Sequence, residues 1–559
     1  MTTPDVTRAR RRRAARWGYG AAFAPVMGLM LASGPAQAQL LPQLGAPVEL
    51  GDLRGAFARA YGPAGIGAPG GAERNWTITP GIDVEVTATD NVRGLTATNG
   101  GGGGGGGGGG RGKAADLLTT ITPSLSIQGA SRRLTGSLVY SPQLRMFLRN
   151  SNMNSVPQNL NASARATIFE DLLYINASAY AAEYSRAGGL GGGATGRLSR
   201  QDMVQTSGFT VSPQLRQAFG DYGSAELSHA YSVLKQTGQG LQASTPFAPA
   251  VAAGITTINT TQASFTSGQV FERLNFTVSA VRSKIDGVGV LKNAHRNTES
   301  LDLGYAVTRS VTVLGELGHQ DVQYGGTRKI RIDAAYWSAG ARWTPDPDTS
   351  VTVRYGYRDG GPSYRFEGSM APTARTRVSL AYSDGMANAA EELQSSIGRT
   401  QLSRSGITID PVTGMPVILT NNFSGAQGGL SRVKRYTASA VLIGDLDVFT
   451  VTLNRDERTT LSGDAPGAVA PAFSFTNASL AWQRELGPGV RGNAQASYSE
   501  RTAGGFGSQQ TMTFSTGVNW ALSETLSTRV SYTFTRANSS QRGFGYQANL
   551  VSLGVRKTF

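Results

Sequence analysis

Nearly every second residue of this chain is apolar over most of its length. A period of two belongs to extended strands that carry one apolar and one polar face. Trp76, Ile78, Ile82, Val84, Val86 and Ala88 fall on one side of an extended chain, with Thr77, Thr79, Asp83, Glu85, Thr87 and Thr89 on the other. The pattern returns at Leu134, Leu138, Tyr140, Leu144, Met146 and Leu148, where Phe147 is an exception on the polar side. It returns again at Phe209, Val211 and Leu215, at Val351, Val353, Tyr355 and Tyr357, and at Val530, Tyr532 and Phe534. One such strand would suit a soluble sandwich equally well. About 22 of them in a single chain require a closed sheet, and even numbers are usual for single-chain barrels.

The connections sharpen this reading because short and long ones alternate. Short ones fall at Glu170-Asp171, Gly220-Asp221, Thr308-Arg309, Pro345 to Thr349, Pro372 to Arg375, Gly444-Asp445, Gly487 to Gly489 and Ser523-Glu524. Their Asp, Gly, Pro and Ser content is turn chemistry. Longer polar connections lie near 90–116, 149–159, 185–203, 235–258, 286–297, 321–333, 384–434, 456–472, 500–510 and 536–545. Short periplasmic turns and longer external loops are the rhythm of an outer-membrane meander. With the first strand running outward, Trp76, Trp343, Trp482 and Trp520 gather at the periplasmic interface, as an aromatic girdle requires, and Trp337 falls toward the outer end. The fold class is therefore all-β, an antiparallel up-and-down transmembrane β-barrel of about 22 strands, with 18 to 22 the range that the less regular stretches at 259–285 and 363–383 allow.

Composition agrees. Only 16% of residues are charged and 39% hydrophobic, and mean hydropathy is −0.21. Beyond the N-terminal region no apolar run approaches the roughly 20 residues of a transmembrane helix. A barrel needs apolar residues only at alternate positions. Residues 1–38 read as a cleaved signal peptide: Arg8, Arg10 to Arg13 and Arg16 precede an apolar stretch from Trp17 to Leu31, and Ala36-Gln37-Ala38 supplies the small residues of a cleavage site. Those arginines and Asp5 account for a third of the formal charge of +15, and nucleic acid is not an expected partner of an exported chain. Residues 39–74 form a Gly/Ala/Pro-rich periplasmic leader, and 75–559 the barrel. The absence of cysteine excludes disulfides and thiolate metal sites. The run Gly100 to Gly110 is a flexible tract with no phosphate-cradling role, and 384–434 is either a lumen plug or an external loop.

No catalytic constellation stands out. His229 and His319 lie on apolar faces near strand ends and His295 in a loop, too scattered for a metal cluster or a triad. Walker, nucleophile-elbow and His-Glu-x-x-His motifs are absent. The expected chain is not an enzyme and carries no cofactor or metal. The polar faces do carry arginines, and Arg145, Arg165, Arg216, Arg354, Arg358, Arg529 and Arg556 are the candidate lumen-facing basic residues. Two readings stand: a basic lumen that favours anionic permeants, or ladders with inward acids such as Asp83, Glu85, Glu226, Asp302 and Glu316. At the C-terminus Leu553, Val555 and Phe559 keep one parity and have the form of an outer-membrane sorting signal, read by the barrel assembly machinery.

Trp76, Pro80, Glu85, Thr89-Asp90-Asn91, Thr122-Pro123-Ser124-Leu125 and Arg133 to Tyr140 resemble the opening of the PEP-CTERM-system-associated outer-membrane protein family. They are also similar to the related β-barrel porins. The match is most specific over 76–185, and the glycine tract interrupts the usual spacing within it. The resemblance implies an outer-membrane barrel linked to exopolysaccharide export, with no catalytic residues to carry over. The expected function is a passive channel in the cell outer membrane, assisting export of an extracellular, anionic polysaccharide. The alternative is a structural or surface-interaction barrel with a plugged lumen and partner-binding external loops. Outer-membrane lipid is an expected partner in both, and the oligomeric state is not legible.

Overall fold

Alternating apolar residues make strands here because a bilayer leaves the backbone no other closed hydrogen-bonding scheme once helix-length apolar runs are missing. The computed structural model describes residues 76–92, 114–185, 189–190, 203–238, 254–388, 390–392, 401–402, 408–409, 429–463, 472–504, 507–540 and 545–559. The expected signal peptide, leader and glycine tract lie outside the described residues, as does most of 384–434.

In chain order the wall strands are β1 (Trp76–Thr89), β2 (Asp116–Ala130), β3 (Leu134–Tyr140 and Leu144–Phe147), β4 (Leu160–Phe169), β5 (Leu173–Ser185), β6 (Met203–Ala218), β7 (Gly223–Thr237), β8 (Gly254–Ser267), β9 (Leu274–Asp286), β10 (Ala294–Ala306) and β11 (Val311–Tyr324). They continue as β12 (Ile330–Asp346), β13 (Thr349–Arg358), β14 (Gly361–Thr373), β15 (Thr376–Asn388), β16 (Leu430–Ile443), β17 (Asp447–Ser462), β18 (Phe473–Gly487), β19 (Val490–Ala503), β20 (Gly507–Ala521), β21 (Leu526–Ser539) and β22 (Tyr546–Thr558). Each pairs antiparallel with its neighbour in sequence, and β22 returns to β1 in a continuous register from Gly81↔Thr558 to Thr89↔Leu550. The barrel is closed and has 22 strands, the number expected. Of the 24 hydrogen-bonded segments in the sheet, two are the halves of β3 and one is the short piece Gly189–Leu190 beside β5.

The expected faces are observed. Ile78, Ile82, Val84 and Val86 are exposed on the outer surface, as are Val278 and Leu317, which flank Leu301, and Trp337, which faces Leu317. The inner surface is dominated by hydroxyls that bond one another across strand pairs: Thr210–Ser232 (2.8 Å), Thr260–Ser283 (3.0 Å), Ser279–Ser300 (2.8 Å), Ser379–Ser439 (2.7 Å) and Thr452–Ser479 (2.8 Å). Each such pair contributes about 0.2–1 kcal/mol, and together they mark one face around the wall. Phe147, the exception in the alternation, is buried against Val92, Leu118 and Met153 in a small inner apolar cluster.

All the connections longer than six residues fall at one end of the barrel, which makes the other, short-turn end periplasmic. Trp76, Trp343, Trp482 and Trp520 all lie toward the short-turn end, and Trp482 is tied there by its indole N–H donating to Asp447 (2.8 Å). Trp337 sits near the middle of β12 rather than toward the outer end.

Three expectations need correction. The outer ends of many strands run further than the polar residues suggested: β11 and β12 leave only 325–329 between them, not 321–333. A ladder bonds backbone to backbone, so polar side chains do not end it once it has left the bilayer. His295 consequently belongs to β10, not to a loop, and its Nε2 lies 3.1 Å from Asp321. Finally, β13 and β14 meet at the outer end through only Asp359-Gly360, a connection absent from the expected set of long loops. Both residues have positive φ (54° and 73°), the geometry of the hairpin turn that Asp-Gly favours.

If the exposed apolar face meets lipid, Leu317→Arg near the middle of β11 lowers folding stability in phospholipid vesicles by about 2–4 kcal/mol. Denaturant unfolding followed by tryptophan fluorescence measures this. Ser300→Arg, on the inner face, should change stability far less.

Candidate functional site: the lumen and its outer ion-pair network

Strand parity aims the polar side chains inward, and register then decides which charges meet. Arg529 on β21 reaches across β22 to both acids of β1, with Asp83 at 3.0 Å and Glu85 at 2.9 Å. On the far wall Arg354 bonds Asp302 (3.0 Å) and lies 3.6 Å from Glu316, while Arg358 reaches Glu316 at 3.4 Å and covers the Tyr336 ring. Arg145 pairs with Glu183. These four candidate arginines are therefore held in ladders with acids. Arg165, Arg216 and Arg556 stand on the same polar parity but are exposed, and no carboxylate among the described residues lies within 4.0 Å of them. Arg165 covers the Tyr174 ring at 4.2 Å, Arg216 faces Glu226 across the β6–β7 pair, and Arg556 faces Asp83 across the seam.

A denser network, invisible in the sequence, occupies the outer end. Because the Asp359-Gly360 turn is so short, the wall drops there, and the ends of β15, β16 and β17 reach over it. The Met386 N–H donates to Asp359 Oδ2 at 3.2 Å. The end of β17 bonds the connection after β11: Thr327 N–H to the Gly463 carbonyl (2.9 Å), Ser462 Oγ to the Gly325 carbonyl (3.0 Å), and Gly463 N–H to Thr327 Oγ1 (3.1 Å). Ile258, Ile285, Val322, Tyr324, Met386 and Leu430 pack together along this join.

Charges fill the join. Arg296 donates to Asp359 Oδ1 at 2.5 Å. Gln320, with its amide turned to satisfy both ends, donates to Asp359 Oδ1 (3.2 Å) and accepts from the Asp359 N–H (3.0 Å). Residues 390–392 form a helical turn whose two acids are both engaged. The Tyr324 hydroxyl donates to Glu391 at 2.9 Å, and the Asn388 amide holds the same carboxylate. Arg435 bridges Glu392 (2.7 Å) and Asp456 (2.9 Å), and Arg458 does the same at 3.0 and 3.1 Å. Burial raises the Glu391 carboxyl above its ordinary pKa, against the opposing pull of Arg296 and the Tyr324 hydroxyl. The network thus anchors the first residues after β15 at the outer end. It draws groups from β10, β11, β15, β16, β17 and two turns, so only the folded register could bring it together.

The three histidines share the outer surface, where His229 Nδ1 meets Thr261 (2.9 Å) and His319 Nε2 meets Asp333 (3.1 Å). Among the described residues no group of three or more His, Cys, Asp or Glu is placed to hold a metal ion. At the C-terminus Leu553, Val555 and Phe559 are exposed, and the Phe559 N–H donates to the Pro80 carbonyl at 2.9 Å.

Residues 449–559, about a fifth of the chain, match the family model described as "Putative beta-barrel porin 2". The matched stretch covers nearly all of β17 and the whole of β18 to β22, and not the opening strands that carry the motif resemblance. No curated protein matches the sequence. Among solved structures, the open form of the ferric-catecholate import receptor Fiu from E. coli K12 is similar at 12% identity and a TM-score of 0.44, over 86% of this chain and 81% of that one. The FrpB iron transporter from Neisseria meningitidis (F3-3 variant) is similar at 12% identity and 0.46, over 88% and 82%. The siderophore receptor PiuA from Acinetobacter baumannii is similar at 10% and 0.46, over 86% and 82%. At such identity and overlap these structures say nothing of what the present chain carries. The chain is a porin-like β-barrel of the outer-membrane type.

Removing one member of the Arg296–Asp359 pair strands a buried charge. Arg296→Met should cost about 3–5 kcal/mol. The double variant with Asp359→Asn should cost clearly less than the sum of the two single changes. Denaturant unfolding of the four proteins in vesicles gives the coupling energy.

Proposed function

We propose that the protein is a passive channel of the Gram-negative outer membrane and assists export of an extracellular polysaccharide. The observation that carries the reading is the inner wall. Around a 22-stranded barrel, whose bore is wide by construction, that wall is lined largely by Ser, Thr, Asn and Gln side chains. Hydroxyl and amide walls solvate a hydroxyl-rich chain without holding it tightly. Conduction requires that balance. The paired arginines of the ladders leave most of the lumen near neutrality, with local exceptions at Arg165, Arg216 and Arg556. The resemblance of the opening strands to barrels associated with exopolysaccharide export supports the choice of cargo.

The outer network favours a second reading on one specific ground. Tyr324, Arg435 and Arg458 pin a helical turn at the outer end, a fixed feature that a structural barrel with a closed lumen would use.

Planar-bilayer recording separates the two. The channel reading expects a stable ohmic current from correctly folded protein, larger in Arg458→Met, where the anchor of the turn is weakened. Folded protein that carries no current in either form contradicts it. Deleting the gene should lower secreted polysaccharide, and unchanged secretion would remove the cargo from the proposal.

A further inference from the structure

The uncompensated charge of the lumen is not spread evenly. Arg165 on β4 and Arg216 on β6 stand near the short-turn ends of the two strands that flank β5, two strand spacings and four residues of strand length apart, about 16 Å between Cα atoms. Both are exposed on the inner parity, opposite the apolar set Ala164, Ala166, Val211 and Leu215. Between them β5 places Tyr174 and Asn176. The Arg165 guanidinium lies over the Tyr174 ring, 4.2 Å from its centroid, and the Asn176 amide donates to Gln214 Oε1 at 3.0 Å. Arg133, exposed at the turn before β3, continues the row, because Arg133 and Thr167 are joined through the Thr167 N–H (2.7 Å). Glu226, facing Arg216 across the β6–β7 pair, is the acid nearest in register, and it forms no ion pair within 4.0 Å among the described residues. Other arginines toward this end are paired, Arg529 with Asp83 and Glu85 and Arg377 with Asp348, and the exposed Arg556 stands apart from the patch, across the seam from Asp83.

We propose that this patch is a docking site for an acidic polysaccharide arriving from the periplasmic side. The inference rests on the channel reading above and names the class of its cargo. A guanidinium takes a carboxylate through two parallel N–H donors. The contact with the Tyr174 ring restrains the Arg165 side chain, so less of its freedom is lost on binding. The Asn176–Gln214 amide pair offers donors and acceptors to sugar hydroxyls, and the tyrosine gives a flat apolar edge for a sugar face. Spaced cations with polar groups between them suit a chain that repeats its charge along a hydroxylated backbone. A small lone anion could engage only one of the arginines at a time.

The test uses the full-length protein in planar bilayers at low salt, with oligogalacturonate, neutral maltodextrin or inorganic phosphate added to either side. The expected result is current interruption by oligogalacturonate from one side only, with little effect of maltodextrin or phosphate at the same concentration. Arg165→Gln together with Arg216→Gln should raise the half-blocking concentration about tenfold or more, since two charge-assisted contacts are lost. Lysine at both positions should retain part of the effect. Equal block of wild type and variant, or equal block by phosphate, overturns the assignment. Heat-modifiable gel migration confirms that each variant folds. If no variant conducts, the channel reading fails by itself. Retention of fluorescein-labelled oligogalacturonate by detergent-solubilised protein then tests the site independently: binding lost in the double glutamine variant upholds it, and unchanged binding sinks it.

Discussion

The structure depends on one constraint: every backbone N–H and C=O that crosses lipid must find a partner within the protein. An open edge would leave a row of groups costing several kcal/mol each. The pairing of β22 with β1 meets that constraint, and the side chains reinforce the same place. Thr87 and Ser552 share a hydroxyl bond across the seam at 2.7 Å. Arg529 on β21 spans β22 to hold Asp83 and Glu85, tying the second-to-last, last and first strands into one unit. The Asp90 carboxylate accepts from both the backbone and the side chain of Asn549, at 2.7 and 2.9 Å, at the outer end of the same seam.

Closure then dictates where charge can go. With the outer face committed to lipid, ionised groups survive on the inner wall or beyond the apolar band, and both places are used. Inside, Arg354, Arg358, Asp302 and Glu316 neutralise one another beside Tyr336. Beyond the band on the outer surface, Arg282 and Glu299 lie 4.0 Å apart, both exposed, a geometry worth little to stability. The buried pairs of the outer join differ in kind. Their charges are costly to strand, so they hold β15 to β17 over the Asp359-Gly360 turn in one arrangement. That join lies at the outer end, while the exposed Arg165 and Arg216 lie near the opposite end of the lumen.

Much of this architecture was legible because a barrel is specified locally. Period-two alternation and turn residues are short-range signals, and they sufficed for the fold and the strand number. Asp359-Gly360 shows what a local signal can still yield when overlooked: Asp-Gly between Tyr357 and Tyr364 is hairpin chemistry in plain sight. The outer network had no such signal. Arg296, Gln320, Tyr324, Glu391 and Arg435 are separated by up to 139 positions, and each looks like an ordinary polar strand residue. Whether an arginine is paired is a question of register between strands. Arg354 and Arg165 therefore look alike in sequence, although the first is neutralised and the second is not.

The seam offers the most direct measurement of closure. The chain has no cysteine, so Thr87→Cys with Ser552→Cys introduces a single possible disulfide, at a facing pair whose hydroxyls already touch. Mild oxidation of the folded protein in vesicles should give near-complete intramolecular linkage, seen as a shift in mobility on a non-reducing denaturing gel. Free thiols, or cross-links only between molecules, would mean that β1 and β22 are not neighbours and that the barrel is not closed as described.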